Sequence, residues 1–173
     1  MLVVPWSLAV CVIASAVAAF TDLRSRTIPN WLSLPLPLLG IVVHSVSLGL
    51  EGMWIACLGC LFCFAPAYLL FARGALGGGD VKLFAGLGAL LGPREGLELQ
   101  LVSFVLVALY AVWTSGWHGR LWALMRASVQ ASLHLLAPAR FTRPGGPEHA
   151  SVELPMGAAI LMAVLLLCLR AWP

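Results

Sequence analysis

Residues 31–72 read WLSLPLPLLGIVVHSVSLGLEGMWIACLGCLFCFAPAYLLFA, and Glu51 is the one charged side chain in this stretch. A helix that crosses the hydrocarbon core of a membrane needs about 17–25 apolar residues. The stretch is therefore long enough for two crossings, which would separate near Glu51. Because lipid offers no partners to backbone groups, these crossings are predicted to be helices.

The composition of the whole chain agrees with a membrane protein. Hydrophobic residues make up 61% of the 173 residues and charged residues 10%, and the mean hydropathy is +0.98. Soluble proteins are about 45–50% apolar and about 25% charged. The net charge of +3 is too small to suggest a nucleic-acid partner, so membrane lipid is the expected surroundings. No disulfide framework is expected, because all five cysteines lie in apolar stretches.

Hydrophobicity predicts an all-α fold, a polytopic bundle of about six transmembrane helices. The predicted spans are residues 2–21, 31–50, 52–72, 74–92, 99–117 and 154–169. The first span is interpreted as a retained helix and not as a signal peptide. A signal peptide has its positive charges before the apolar core, whereas Arg24 and Arg26 follow it.

The arginines predict the orientation. The loops after spans one, three and five hold most of them: Arg24, Arg26, Arg73, Arg120, Arg126, Arg140 and Arg143. The opposite side has Arg94 and Arg170. Loops rich in positive charge stay in the cytoplasm, so both termini are predicted to be periplasmic.

The long loop at residues 118–153 is predicted to be cytoplasmic. Apolar residues alternate with Arg120, Arg126 and His134 in its first half, a pattern typical of an amphipathic helix lying in the membrane interface. Its second half is rich in proline and glycine and is interpreted as an irregular linker. Neither half resembles a domain, so residues 1–173 are expected to form one membrane domain.

The chain contains two aspartates, Asp22 and Asp80. The predicted topology places both near the cytoplasmic face, Asp22 at the end of the first span and Asp80 within the fourth. Placing a carboxylate inside a membrane span costs free energy, so such a residue is a candidate for a functional role. Two carboxylates in one poorly solvated site can share a proton, which suits the acid and base steps of amide hydrolysis. Alone, Asp22 has a structural interpretation as a solvated helix flank beside the arginines.

Three glycines, Gly77, Gly78 and Gly79, directly precede Asp80. Glycine permits unusual backbone angles and lets another chain approach closely. An extended peptide substrate needs such exposed backbone beside the catalytic acid. Glycines in membrane helices also commonly allow close helix packing, and Gly86, Gly88 and Gly92 further along fit that interpretation.

Two motifs resemble those of the type IV prepilin peptidase family, which belongs to the GxGD group of intramembrane aspartic proteases. The segment GGGDVK at residues 77–82 is similar to the family's GxGD-x-K segment. The segment DLRSRTIPN at residues 22–30 matches the family's D-x-x-x-R-x-I-P-N pattern. The resemblance extends over nearly the whole chain, from the first span to the sixth.

The resemblance implies that Asp22 and Asp80 are the catalytic pair, without a metal or other cofactor. It implies cleavage after the glycine of a prepilin or pseudopilin leader, at the cytoplasmic face of the bacterial inner membrane, for pilus assembly or protein secretion. Larger members carry a cytoplasmic domain with paired Cys-x-x-Cys motifs and N-methylate the product. This chain resembles the short, peptidase-only form found with tight-adherence pili, so no methyltransferase activity is expected.

The last span departs from the family pattern. The family's sixth span usually opens with Pro-aromatic-Gly-Pro, whereas this chain has PMGA at residues 155–158. The match is partial, and the sequence assigns no role to Pro155 or Gly157.

Four further residues are expected to bind substrate or shape the site. Lys82 has three interpretations: it binds a substrate carboxylate, tunes the aspartates, or extends to the interface. Arg26 is expected to orient Asp22 or bind lipid phosphate. Pro29 and Asn30 are expected to shape the entry to the second span.

Two patterns elsewhere in the chain are interpreted as structural and not as functional sites. The cysteines of CLGCLFC at residues 57–63 are interpreted as packing and not as a metal site, because no histidine or acidic residue accompanies them. His44 is interpreted as a hydrogen-bonded structural histidine.

Two other functions remain open from the sequence. A small proton-coupled transporter would need Asp80, Lys82 and His44 as a proton path and leave Asp22 incidental. The other is a pilus-assembly scaffold that has lost its enzymatic activity, against which counts that no catalytic residue is missing from the sequence.

Overall fold

The computed structural model describes residues 5–25, 27–117 and 156–171, and the described residues contain helices without strands. The helices are α1 (Pro5–Ser25), α2 (Asn30–Ser33), α3 (Pro35–Ala72), α4 (Gly78–Leu91), α5 (Pro93–Trp117) and α6 (Met156–Ala171). The predicted all-α fold is confirmed.

Three stretches of helix are long and apolar enough to cross a membrane, namely Trp6–Ser25, Asn30–Ala72 and Pro93–Trp113, and Met156–Arg170 is a shorter apolar helix. Large apolar side chains cover much of the outside of the molecule. Val46 is 83% exposed, Trp6 77% and Leu50 75%. Exposure of so much apolar surface to water would be unfavourable, so this surface is expected to contact lipid.

Helix α3 reverses direction at Gly49, where φ is 64° and ψ is −142°. Two contacts with α4 establish the reversal, because Gly40 packs on Ala89 and Gly59 packs on Gly88. In a straight helix Gly40 and Gly59 would lie about 28 Å apart, too far to reach adjacent residues of one neighbour. The two halves of α3 therefore run antiparallel, as the predicted spans at residues 31–50 and 52–72 require.

Helix α4 is the most buried helix among the described residues. Val81 and every residue from Leu83 to Leu91 are buried. Gly86 packs on Leu36 and Gly88 packs on Cys63, so α4 lies against both halves of α3. The interpretation of these two glycines as packing residues agrees with the contacts.

The fourth predicted span, residues 74–92, is longer than the helix that occupies it. Helix α3 ends in a turn in which Gly74 has a φ of 75° and Ala75 N–H donates to the Leu70 carbonyl. This arrangement stops a helix, and residues 75–77 are non-helical, with an extended backbone at Gly77. Helix α4 starts at Gly78 and has 14 residues, about 21 Å of helix.

The fifth predicted span, residues 99–117, is shorter than its helix. Helix α5 already starts at Pro93, directly after Gly92, whose φ of 87° ends α4. Proline is tolerated at the first position of a helix because its missing N–H has no intrahelical acceptor there.

Helices α1 and α6 pack against each other in antiparallel directions. Gly157, near the start of α6, contacts Ala19 near the end of α1. Cys168, near the end of α6, lies close to Cys11 in the first half of α1. Small buried residues on α1, including Ala18 and Ser15, permit the close approach.

The chain divides into two compact units, Met1–Leu106 with Pro155–Pro173, and Val107–Leu154. The described part of the second unit is the final stretch of α5. The predicted interfacial helix and linker at residues 118–153 lie outside the described residues, and the single domain over residues 1–173 stays a prediction.

Candidate active site

Asp22 lies in the last turn of α1 and is half-buried. Its Oδ2 atom accepts a hydrogen bond of 2.8 Å from the backbone N–H of Gly157 in α6. Bonds from an N–H to a charged oxygen are stronger than bonds between neutral groups. The side chain of Asp22 is therefore held by a helix from the far end of the chain.

Asp80 lies in the first turn of α4 and is also half-buried. A backbone hydrogen bond from Gly77, the residue that caps α4, reaches its carboxylate. A carboxylate at this position also interacts favourably with the positive end of the helix dipole. The start of α4 thus fixes the direction of the Asp80 side chain.

The glycines before Asp80 leave room for these contacts. A Cβ atom at Gly77 would lie 2.9 Å from Oδ2 of Asp80, and one at Gly79 would lie 2.9 Å from Cβ of Ile28. Gly78 lies beside the ring of Phe71, with 3.4 Å between that ring and a Cβ placed there. Any side chain at Gly77 or Gly79 would therefore push a neighbour away from the site.

The two carboxylates lie close enough for their charges to interact. Asp22 comes from the end of α1 and Asp80 from the start of α4, so the ends of two helices that are distant in sequence meet here. The contact between Gly79 and Ile28 joins the same two chain segments. Repulsion between two half-buried carboxylates favours the state in which one of them is protonated, and such a pair can perform acid and base chemistry together.

Lys82 extends from α4 towards the start of α2. Its Nζ atom donates a 2.7 Å hydrogen bond to Oδ1 of Asn30. Pro29 precedes Asn30 and caps α2 with an extended backbone, at φ −69° and ψ 140°. The Lys82–Asn30 bond therefore ties the segment after Asp22 to the helix that carries Asp80.

Arg26, expected beside Asp22, lies outside the described residues. The structure brings the other predicted site residues together at the N-terminal end of α4: Asp22, Pro29, Asn30, Gly77, Gly78, Gly79, Asp80 and Lys82.

Sequence reasoning missed Gly157. Residues 155–158 lack the aromatic residue and the second proline of the family pattern, so no role was assigned to them. The glycine of that pattern is nevertheless present as Gly157. A glycine directly after a Pro-Met pair at the start of a short apolar span was the available signal. Its contact with Asp22 depends on how α1 and α6 pack, which no local pattern reports.

His44 lies far from the aspartates. Its ring is buried, and Nδ1 lies 3.1 Å from the carbonyl oxygen of Gly40. Gly40 packs on Ala89 near the end of α4, and His44 is one helical turn further from Asp80. The separation along these helices is about 20 Å at 1.5 Å per residue. This placement gives no support to a proton path through Asp80 and His44.

Comparison with known proteins adds the family. The sequence model of the type IV leader peptidase family matches residues 9–112, which is more than half of the chain. The chain belongs to the type IV leader peptidase family. It is thus a peptidase, a hydrolase of the membrane, and the predicted family is confirmed. The match contains Asp22 and Asp80 but ends before α6. No curated protein and no solved structure matches the chain.

Proposed function

We propose that this leader peptidase is an intramembrane aspartic endopeptidase that cleaves the leader peptides of prepilins or pseudopilins, with Asp22 and Asp80 as catalytic residues. The observation that carries the proposal is the proximity of the two half-buried carboxylates at the start of α4. They are the two aspartates of the chain. A partly dry pair of acids is the arrangement that aspartic proteases use.

The reaction follows from the different protonation states of the two acids. The ionised carboxylate takes a proton from a water molecule, which attacks the scissile carbonyl carbon. The protonated carboxyl group donates to the carbonyl oxygen at the same time. The tetrahedral diol then collapses: the carboxyl group that took the proton from water gives it to the leaving nitrogen as the C–N bond breaks. The other carboxylate takes a proton back from a diol hydroxyl, which restores the starting pair.

The substrate backbone must reach this pair in an extended form. Gly77 is exposed and has an extended backbone, with φ −77° and ψ 147°. The backbone groups of Gly77 are themselves engaged, since its N–H bonds to Asp80 and its carbonyl oxygen accepts from Val81. The exposed residues that precede it remain to pair with a substrate strand. We infer that the residues around the scissile bond lie along the stretch that leads to Gly77.

The proposed topology has six crossings: α1, the two halves of α3, α4, α5 and α6. The arginine distribution favours cytoplasmic loops after the odd-numbered crossings and periplasmic termini, in the bacterial inner membrane. The aspartates then lie at the cytoplasmic face. A prepilin leader, basic before an apolar helix, would present its cleavage site at that depth. N-methylation of the product is not part of the proposed activity.

Cleavage of a coexpressed prepilin in membranes tests the proposal. Asp22→Asn and Asp80→Asn each keep the side-chain shape and remove the proton exchange, so each alone should abolish processing. Glu98→Gln is the matched control, because this acid lies in α5 beside Arg94 and Arg170, away from the pair. It should leave processing intact, and a chelator should have no effect.

Cleavage that persists in either aspartate variant would remove that residue from the mechanism. Proton flux through the parent protein without cleavage would favour a transporter, and prepilin binding without cleavage would favour a scaffold.

A further inference from the structure

The start of α6 lies directly on Asp22. Gly157 is the second residue of α6, and its N–H donates to Oδ2 of Asp22 at 2.8 Å. The first N–H groups of a helix have no acceptor within the helix and must find one elsewhere. The positive end of the helix dipole strengthens a bond to a carboxylate.

Close backbone packing fixes this contact. A Cβ atom at Gly157 would lie 3.0 Å from Cα of Ala19 and 3.0 Å from Cβ of Asp22. It would also lie 3.1 Å from the carbonyl oxygen of Ala18. Backbone atoms cannot move aside as the tip of a long side chain can. Glycine at this position therefore sets how near α6 comes to the carboxylate.

We propose that Gly157 is a positioning residue, whose backbone N–H holds the Asp22 carboxylate in the orientation that serves Asp80. This inference rests on the proposed function. Oδ2 is engaged by the amide, and Oδ1 is left to exchange a proton. Without the amide, the Asp22 side chain is free to rotate, and the paired geometry is populated for less of the time.

An ester substitution tests the donor without a steric change. Incorporation of glycolic acid at position 157 replaces the N–H by an oxygen atom and adds no side chain. Loss of one charge-assisted bond should lower kcat by about tenfold or more. KM should stay within about twofold, since the amide contacts Asp22 and not the substrate. Lactic acid at position 158 is the matched control, because it makes the same backbone change one residue away.

A second comparison uses Gly40, a glycine that packs even more tightly on a neighbouring helix than Gly157 does. Gly157→Ala should displace α6 from Asp22 by a few tenths of an ångström, because backbone atoms of α1 lie 3.0–3.1 Å from the added Cβ. Gly40→Ala produces a clash of the same kind against Ala89, where the Cβ would lie 2.6 Å from a backbone carbon, far from the aspartates. At matched loss of thermal stability, Gly157→Ala should lower kcat several-fold more than Gly40→Ala.

The contact can also be observed without activity. In 15N-glycine-labelled protein, the amide resonance of Gly157 is identified by its loss in Gly157→Ala. It should move upfield in Asp22→Asn, because a neutral acceptor replaces a charged one, and change little in Asp80→Asn.

The outcomes separate the two proposals. An unchanged kcat in the 157 ester, or an unmoved Gly157 resonance in Asp22→Asn, overturns the positioning role and leaves the peptidase proposal intact. Cleavage by Asp22→Asn overturns the peptidase proposal and the positioning role with it. A loss of kcat at 157 but not at 158, together with the resonance shift, supports both.

Discussion

At the scale of single residues, the bond between Lys82 and Asn30 separates two roles for the lysine. Lys82→Met keeps the apolar stem and removes the donor of the 2.7 Å bond. If the bond aligns the two segments that carry the aspartates, Lys82→Met and Asn30→Ala should each lower kcat/KM by about tenfold. This is the loss expected when a hydrogen bond to a charged group that contributes about 1.5 kcal/mol is removed. The double variant should have a kcat/KM no lower than that of either single variant, because both substitutions remove the same bond. Prepilin cleavage assays measure all three values.

A much larger loss for Lys82→Met than for Asn30→Ala would contradict that role. It would show instead that the ammonium group binds a substrate carboxylate. Thr27→Ala is the control, since its hydroxyl contacts the nearby Ser25 and is exposed.

At the level of single residues, the sequence predicted the pair of aspartates but not the hydrogen bonds around them. Arginine positions and two short motifs indicated that Asp22 and Asp80 would meet, because charge bias and chain order determine which helix ends share a membrane face. The Lys82–Asn30 bond and the Gly157–Asp22 bond were not predictable. Both depend on the separation of packed helices to within about an ångström, and hydrophobic patterns contain no such information.

At the scale of helices, the sequence predicted segments better than their ends. Residues 31–72 were expected to form two helices separated by the charge of Glu51, and the reversal occurs two residues earlier, at Gly49. Hydrophobicity identifies a buried or lipid-facing stretch but not the backbone angles that end it. For α4 the apolar run continued through residues 74–77, although the preceding turn leaves them non-helical.

Gly49→Ala tests the reversal of α3. Its φ of 64° and ψ of −142° suit glycine almost alone, and an alanine there should cost about 1–3 kcal/mol of unfolding free energy. Nothing lies within 4 Å of the Cβ that it would add, so the cost comes from the backbone and not from a clash. Thermal unfolding in detergent measures the change. Leu50→Ala, at the next and exposed position, is the control and should change little; an equal effect of both would contradict the reversal.

At the scale of the whole molecule, the charges mark two opposite ends. Arg73 and the aspartates lie where α3 ends and α4 begins. Arg170 donates to Glu98 at 3.1 Å, and Arg94 lies 3.6 Å from the same carboxylate. Arg170 is about 20 Å along α6 from Gly157 and therefore from Asp22. The exposed pairs around Glu98 contribute little stability, but they place Glu98, Arg94 and Arg170 at an end of the helices away from the site.

The positive-inside rule turns this polarity into a prediction about membrane sides. Ala75 is exposed in the turn between α3 and α4, at the aspartate end, and Leu50 is 75% exposed at the reversal of α3. In a background with the five cysteines replaced by alanine, a membrane-impermeant maleimide should label Leu50→Cys in intact spheroplasts. It should label Ala75→Cys only after the membrane is permeabilised. The reverse pattern would place the aspartates in the periplasm, where the basic leader of a prepilin does not lie, and would leave the proposed peptidase without access to its substrate.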